Sequence, residues 1–241
     1  MNSRRRILQL LTTLAAAYGL KYFYSNSSVN DLRWILAPTT FFVELFTGMQ
    51  FRFESNAGYL SDDRSFLIAQ PCSGMNFMII AFVMLAVGKL WRDRNLNWIY
   101  LPIALVMSYV ATIVANTVRI VVALELRKYD LGYDYDEVHL VEGIVVYFGF
   151  LLLLFVVSEK LGSHSYRRDR AIPLRRIAIP LLIYYGVTLG IPLARGAFNE
   201  TEFWKHALVV LITPLVLIVP IVLMSLVKMK DEADGNVNEW L

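Results

Sequence analysis

The sequence predicts an all-α polytopic membrane protein. The chain has 241 residues, of which 57% are hydrophobic, and its mean hydropathy is +0.51, whereas soluble domains are usually about 45–50% apolar. The apolar residues are grouped into blocks of about 16 to 27 residues, the length that a helix needs to cross a bilayer. We therefore expect one membrane domain that covers residues 1–241.

Six blocks are long enough to span the membrane. They are residues 7–24, 75–90, 98–124, 140–157, 177–193 and 207–227. The first block follows three arginines and resembles a signal peptide, but Ser25-Asn26-Ser27 is a poor cleavage site. We therefore predict that this block is a retained anchor.

A seventh run, 34–50, decides the orientation of everything after it. The run is short and contains a proline, a glutamate and a glycine. If it crossed the membrane, the basic loops 89–94 and 160–176 would face outward, against the positive-inside rule. If it does not cross, both loops and both termini are cytoplasmic. We therefore predict about six transmembrane helices, with 34–50 as an amphipathic helix lying on or dipping into the outer surface.

The segment 49–71 would then be extracytoplasmic. Met49, Phe51 and Phe53 alternate with polar residues, and residues 65–69 form a second strand-like run with turn formers between the two. The pattern predicts a small β-hairpin that leads into the next helix.

Composition excludes several classes of function. A single cysteine cannot form an intrachain disulfide. The net charge of +3 reflects cytoplasmic lysine and arginine, and no basic, aromatic-rich soluble segment is present that could bind nucleic acid. We predict no cofactor and no metal. An alternative cation site would combine His139 with the acidic residues before it, Asp130, Asp134, Asp136 and Glu137. The spacing of these residues matches no metal motif.

Three reactive residues are predicted to share one depth. Cys72 precedes a helix that runs inward from the outer surface, and His139 begins another such helix. Arg119 lies about 21 residues into a helix that starts inside at 98, which is about 31 Å of rise and the full depth of the hydrocarbon. All three would therefore lie near the outer surface.

These residue types suit covalent acyl transfer. A cysteine attacks as its thiolate, which a nearby cation stabilises. Arg119 offers a permanent positive charge to the thiolate or to an oxyanion, and His139 can take and return a proton near neutral pH. By helical spacing Asn116 could orient Arg119, and Glu142 could hold the His139 ring.

Plainer interpretations remain open at each position. Cys72 could be a small buried hydrophobe, Arg119 a snorkelling interfacial residue, and His139 a solvated helix cap. Ser73 is a competing nucleophile without a Gly-x-Ser-x-Gly elbow. Gly74 and Gly143 would allow helices or substrate to approach closely. His164 would lie on the cytoplasmic side, and His206 is a weaker rival to His139.

The motifs Cys72-Ser73-Gly74, Asn116-Thr117-Val118-Arg119-Ile120 and His139 with Gly143 resemble the exosortase/archaeosortase family. The resemblance covers about 34–157, as an exosortase-like catalytic core; the two additional C-terminal helices, 177–227, carry no such motif. Met75-Asn76-Phe77 after Cys-Ser-Gly is more similar to the exosortase K subgroup than to the commonest family pattern, which has leucine there.

The resemblance implies a membrane-embedded cysteine transpeptidase or protease. Its catalytic residues would be Cys72, Arg119 and His139. It would act at the outer face of a bacterial cytoplasmic membrane on secreted proteins that end in a short motif, a transmembrane helix and a basic tail. The acceptor would be an envelope glycan or a lipid. Two other classes stay open: a transporter or anionic-lipid-handling protein that uses Arg119 as a headgroup or substrate site, and an envelope scaffold without chemistry.

Overall fold

The structure, a computed structural model, describes residues 2–93, 96–128, 135–161, 174–194, 196, 199 and 203–220. By its internal contacts the chain divides into two compact units, Met1–Ser158 and Glu159–Leu241. The helices of the first unit are α1 (Asn2–Asn26), α2 (Arg33–Thr47), α3 (Met75–Arg92), α4 (Tyr100–Leu126) and most of α5 (Tyr135–Leu161).

The prediction of a mostly helical, multi-pass membrane protein is confirmed. Within the described residues, four helices are long and apolar enough to cross a membrane: Gln70–Arg92, Tyr100–Leu126, Val138–Lys160 and Phe203–Pro220. They correspond to the second, third, fourth and sixth predicted spans. Helix α1 has the length of a span, at 25 residues, but is less apolar than these four. The total of six spans stays a prediction.

Helices α1 and α3 run antiparallel. At one end, a guanidinium nitrogen of Arg6 donates to the carbonyl of Leu90 at 2.8 Å. At the other end, the Gln70 amide donates to the carbonyl of Tyr24 at 3.3 Å. The chain therefore leaves α1 and begins α3 at the same end of this helix pair. Helix α2, which lies between them in sequence, does not cross from one end to the other.

Helix α2 packs lengthwise against α4. Near its start, the Trp34 ring stacks on Tyr109 with centroids 5.5 Å apart, and the Tyr109 hydroxyl donates to the Trp34 carbonyl at 2.8 Å. At the last residue of α2, Thr47 lines the same cleft as Leu124. Tyr109 and Leu124 are about 22 Å apart along α4 at 1.5 Å per residue. Of the two predicted placements, a helix that dips below the surface fits these contacts.

The segment after α2 forms a three-stranded antiparallel sheet. Its strands are β1 (Phe51–Glu54), β2 (Gly58–Ser61) and β3 (Leu67–Ile68), in that order, with Phe51 opposite Ser61 and Tyr59 opposite Ile68. The sequence predicted a two-stranded hairpin made of the run from Met49 to Phe53 and the run 65–69. Turns form in the segment between these two runs, and the residues between the turns pair as a third, middle strand. The predicted hairpin is therefore a three-stranded meander.

Asp63 holds the second turn of this sheet. Its carboxylate accepts hydrogen bonds from the Ser61 hydroxyl at 2.6 Å and from the Ser65 N–H and hydroxyl at 3.0 and 2.8 Å. These hydrogen bonds lower the pKa of Asp63 to about 2, the Ser61 hydroxyl most of all. The turn therefore keeps its ionised carboxylate until the pH falls towards that value.

A buried apolar cluster joins α2 and the sheet to the ends of α3 and α4. Its members are Val29, Leu32, Ile35, Leu36, Val43, Phe51, Ile68, Met75, Met78, Ile120 and Leu124. Burying such side chains contributes about 1.5–3 kcal/mol each. Cys72 packs against this cluster, so the same apolar contacts that hold the sheet also hold the cysteine.

The second unit begins with a broken helix. Helix α6 (Leu174–Tyr185) contains Pro180 and passes through one π-helical turn, Gly186–Gly190, into the short α7 (Ile191–Ala194). It occupies the fifth predicted span, 177–193. The Tyr185 hydroxyl donates to the carbonyl of Leu211 at 2.7 Å and so ties α6 to α8 (Phe203–Pro220). Residues 221–227 of the last predicted span lie outside the described residues.

Candidate active site

Cys72 lies in a single 3-10 turn, Gln70–Ser73, directly before α3. Pro71 is the second residue of the turn, where its missing N–H costs no hydrogen bond, and the Cys72 N–H donates to the Ala69 carbonyl at 2.9 Å. Cys72 is half-buried and its thiol is free. The turn therefore holds Cys72 at the N-terminal end of α3.

Gly74 connects this turn to α3 and lets α4 approach. Its φ is +70°, in the left-handed region that favours glycine. A Cβ at this position would lie 2.9 Å from Cγ2 of Thr112 and 3.3 Å from Cγ of Asn116. The fully buried Asn116 donates from Nδ2 to the Cys72 carbonyl. The predicted role of Asn116 was to orient Arg119; the structure places it first on the backbone of the cysteine.

Arg119 and His139 are in direct contact. Nη2 of Arg119 lies 2.8 Å from Nε2 of His139. A guanidinium can only donate, so Nε2 accepts, and the ring proton of a neutral His139 is on Nδ1. Arg119 also lies within electrostatic range of Cys72. The three predicted catalytic residues, which come from α4, α5 and the turn before α3, are therefore brought together.

Glu142 is placed where the helical spacing predicted it. Its Oε2 lies 3.4 Å from Nδ1 of His139, and the residue is only 6% exposed. Neither carboxylate oxygen has a hydrogen-bond partner among the described residues. The structure therefore places a buried carboxylate beside Nδ1 of His139, where it can orient the ring.

Tyr147 completes the cluster, and the sequence analysis missed it. Its hydroxyl donates to Oδ1 of Asn116 at 2.7 Å and accepts from Nη1 of Arg119 at 3.3 Å. Its ring stacks on Phe77 with centroids 5.1 Å apart. The signal was available, since His139, Gly143 and Tyr147 are spaced four residues apart and so share one face of α5.

Ser73, the competing nucleophile, is fully buried. Its side chain contacts the hydroxyl of Tyr24 from α1 and lies 3.4 Å from the N–H of Met75. Tyr24 also lies within electrostatic range of Cys72. These contacts make Ser73 part of the wall behind the cysteine and leave the half-buried Cys72 as the more accessible nucleophile.

The remaining candidates lie elsewhere or beyond the described residues. His164 is outside them, and so are Asp130 and Asp134 of the alternative cation site, together with the side chains of Asp136 and Glu137. The exposed His206 is in α8. Within the part of the chain that is described, no group of three His, Cys, Asp or Glu residues could hold a metal ion.

Comparison with known families identifies the first unit. The model of the transmembrane exosortase family (Exosortase_EpsH) matches residues 2–156. The chain belongs to this family. No curated protein and no solved structure matches the chain. The exosortase match begins at α1, so it extends beyond the 34–157 segment that showed the resemblance, and it contains every residue of the cluster around Cys72.

Membership of the exosortase family implies a membrane protein with an activity of the transpeptidase type. The match ends before α6, so it says nothing of the last helices. It also does not distinguish subgroups, and the similarity to the exosortase K subgroup at Met75-Asn76-Phe77 stays a prediction.

Proposed function

We propose that this exosortase is a cysteine transpeptidase that cleaves a C-terminal sorting signal through a thioester on Cys72 and transfers the protein to an acceptor. One observation carries the proposal: Cys72, Arg119 and His139 come from three separate elements and meet in one cluster. A nucleophile, a fixed cation and a proton carrier in one place are the parts that acyl transfer needs.

The chemistry balances with these groups alone. The Cys72 thiol gives its proton to Nε2 of His139, and the sulfur attacks the carbonyl carbon of the scissile amide. The electron pair moves to the carbonyl oxygen, beside Arg119. The C–N bond then breaks, and the leaving amine takes the proton from His139, which leaves a thioester on Cys72. An acceptor nucleophile attacks this thioester, gives its proton to His139, and the thiolate leaves and is reprotonated.

Arg119 has to move during the first step. Its Nη2–H occupies the lone pair of Nε2, so it cannot remain there while that nitrogen accepts the thiol proton. Arg119 also carries an Nε–H that has no hydrogen-bond partner among the described residues. Released from His139, the guanidinium can direct these N–H groups at the oxyanion and stabilise the charge that develops there.

The depth of the site matches the proposed substrate. Arg119 lies 19 residues after the start of α4, which is about 28 Å of rise and close to the hydrocarbon thickness. A substrate whose transmembrane helix crosses the same bilayer presents the short motif before that helix at this level. We propose such secreted proteins, with a basic tail, as substrates and an envelope glycan or lipid as the acceptor; membrane lipid surrounds the site.

We place the protein in the bacterial cytoplasmic membrane with both termini cytoplasmic and the active site outward. Basic residues at the Arg6 and Lys89 end of the α1–α3 pair support this orientation. Because Cys72 is the single cysteine, a membrane-impermeant maleimide applied to intact cells should label it, with labelling blocked by a small permeant maleimide added first. Labelling only after the cells are opened would show that Cys72 faces the cytoplasm and that the proposed orientation is wrong.

The test of the activity is Cys72→Ala with Ser73→Ala as its matched control. A reporter is fused to the C-terminal sorting segment of a secreted protein from the same host, and its conversion is followed by immunoblot. Cys72→Ala should abolish conversion, and Ser73→Ala should retain it. With wild-type enzyme, neutral hydroxylamine should release the reporter from the enzyme, since it cleaves thioesters.

The opposite results separate the other classes of function. If Cys72→Ala is tolerated while Arg119→Ala is not, the protein handles an anionic ligand and no covalent step occurs on the cysteine. If both variants and His139→Ala keep activity, the site is structural. Either result overturns the transpeptidase proposal.

A further inference from the structure

Tyr147 is a polar side chain of the cluster that the acyl-transfer steps do not use. Its hydroxyl lies between Arg119 and Asn116: it accepts from Nη1 of Arg119 at 3.3 Å and donates to Oδ1 of Asn116 at 2.7 Å. Asn116 in turn donates to the Cys72 carbonyl. A continuous hydrogen-bonded path therefore runs from the backbone of the nucleophile to the guanidinium.

The direction of each hydrogen bond in this path is fixed. Nδ2 of Asn116 donates to the Cys72 carbonyl, so Oδ1 is left as the acceptor that faces Tyr147. The single phenolic proton goes to that oxygen, and only the lone pairs of Tyr147 remain for Arg119. A tyrosine hydroxyl can satisfy both neighbours at once, because one partner needs a donor and the other needs an acceptor.

The ring of Tyr147 is held independently of its hydroxyl. It stacks on Phe77, with centroids 5.1 Å apart, and Cζ of Arg119 lies 5.3 Å from its centroid. Phe77 is buried in α3, the helix that Cys72 precedes. Loss of the hydroxyl alone would therefore leave the ring in place and break the path in the middle.

We propose that Tyr147 is a positioning residue, which fixes the Arg119 guanidinium relative to the Cys72 sulfur through Asn116. The inference rests on the proposed function, because the distance between the Arg119 guanidinium and the Cys72 sulfur matters only if both take part in acyl transfer. When Arg119 leaves His139 during proton transfer, the bond to Tyr147 is the contact that keeps the guanidinium beside the cysteine.

The test compares Tyr147→Phe with Tyr109→Phe in the full-length protein. Both variants delete one tyrosine hydroxyl from a hydrogen bond within the same unit, but that of Tyr109 joins α4 to α2, away from the site. With the reporter substrate, Tyr147→Phe should lower kcat about 10- to 100-fold with KM within about twofold, the cost of one hydrogen bond to a charged group. Tyr109→Phe should stay within about twofold of wild type.

A second readout needs no substrate. Cys72 is the single cysteine, so its alkylation by iodoacetamide reports its thiolate at each pH. Among the described residues, the ionisable groups within electrostatic range of Cys72 are Arg119, Tyr147 and, from α1, Tyr24; His139 lies against Arg119, and Glu142 lies against His139. Tyr147→Phe should slow alkylation at pH 7 about three- to tenfold and move the profile to higher pH, with wild-type rates at the alkaline plateau.

Arg119→Gln separates failure of the inference from failure of the proposed function. If Arg119→Gln shifts the alkylation profile and Tyr147→Phe leaves it superimposed on that of Tyr109→Phe, Tyr147 has no positioning role, whether or not the variant processes the reporter. If Arg119→Gln leaves the profile unchanged as well, the guanidinium is not held at the Cys72 sulfur and the positioning inference fails, whereas the proposed function fails only if Cys72→Ala still converts the reporter.

Discussion

Replacing Gly143 with alanine should strongly lower the conversion of the reporter substrate without unfolding the protein. Gly143 lies on α5 one turn after His139, and a Cβ added there would lie 3.2 Å from Nε of Arg119 and 3.9 Å from its Cδ. The first distance is shorter than an ordinary van der Waals contact, so Arg119 has to move by a few tenths of an ångström. The same methyl group also occupies the space beside the Nε–H of Arg119, which has no hydrogen-bond partner in the described part of the chain.

The size of the effect follows from how Arg119 is held. Its bond to Tyr147 is already long at 3.3 Å, so a small displacement of the guanidinium away from Tyr147 breaks it. Losing one hydrogen bond to a charged group costs about 1.5–3 kcal/mol, or about 10- to 100-fold in rate. Alanine meanwhile stabilises a helix by about 1 kcal/mol relative to glycine, which offsets the strain in stability but not in activity.

The matched control is Gly149→Ala on the same helix, where a Cβ would meet nothing within 4 Å. Conversion of the reporter substrate measures activity, and the melting temperature of the detergent-solubilised protein measures stability. Gly143→Ala should lose about 10- to 100-fold in activity with a melting temperature near wild type, and Gly149→Ala should keep its activity. Equal activities for the two variants would show that Arg119 does not need its observed position.

Two further substitutions test other contacts. Gly74→Ala should destabilise the protein by about 2–4 kcal/mol, because the alanine must adopt a left-handed conformation and its Cβ overlaps Thr112. Gly48→Ala is the control, since Gly48 has a φ of +71° but no neighbour within 4 Å of an added Cβ, and it should lose less stability. Equal melting temperatures for the two variants would contradict the overlap. Glu142→Gln should slow conversion about tenfold at unchanged stability, because a neutral amide cannot stabilise the imidazolium of His139; a wild-type rate would remove Glu142 from the mechanism.

Much of the fold was predictable because bilayer crossing is a local property of sequence. Four of the six predicted spans correspond to the four described helices that are long and apolar enough to cross. Charge placement also predicted that 34–50 does not cross, and the antiparallel packing of α1 and α3 agrees with that prediction. The sheet was less predictable: two strands were expected, but whether Gly58–Ser61 pairs depends on both of its neighbours.

The residues of the candidate site were likewise predictable only in part. Cys72, Arg119 and His139 were predicted from a depth that each helix defines by its own length, and Glu142 from spacing within one helix. Tyr147 was missed because its role comes from contacts with Asn116 and Arg119 on another helix. The position of Asn116 against the Cys72 carbonyl likewise depends on how closely α3 and α4 approach at Gly74.

By itself the sequence predicted which segments enter the membrane, in which direction they run, and at what depth each reactive side chain lies, because hydrophobic length and flanking charge act along one helix at a time. Only the tertiary structure decided which side chains touch at that depth. Rotation of each helix about its axis and its distance from its neighbours are set by packing between helices, and an error of one residue turns a side chain by about 100°.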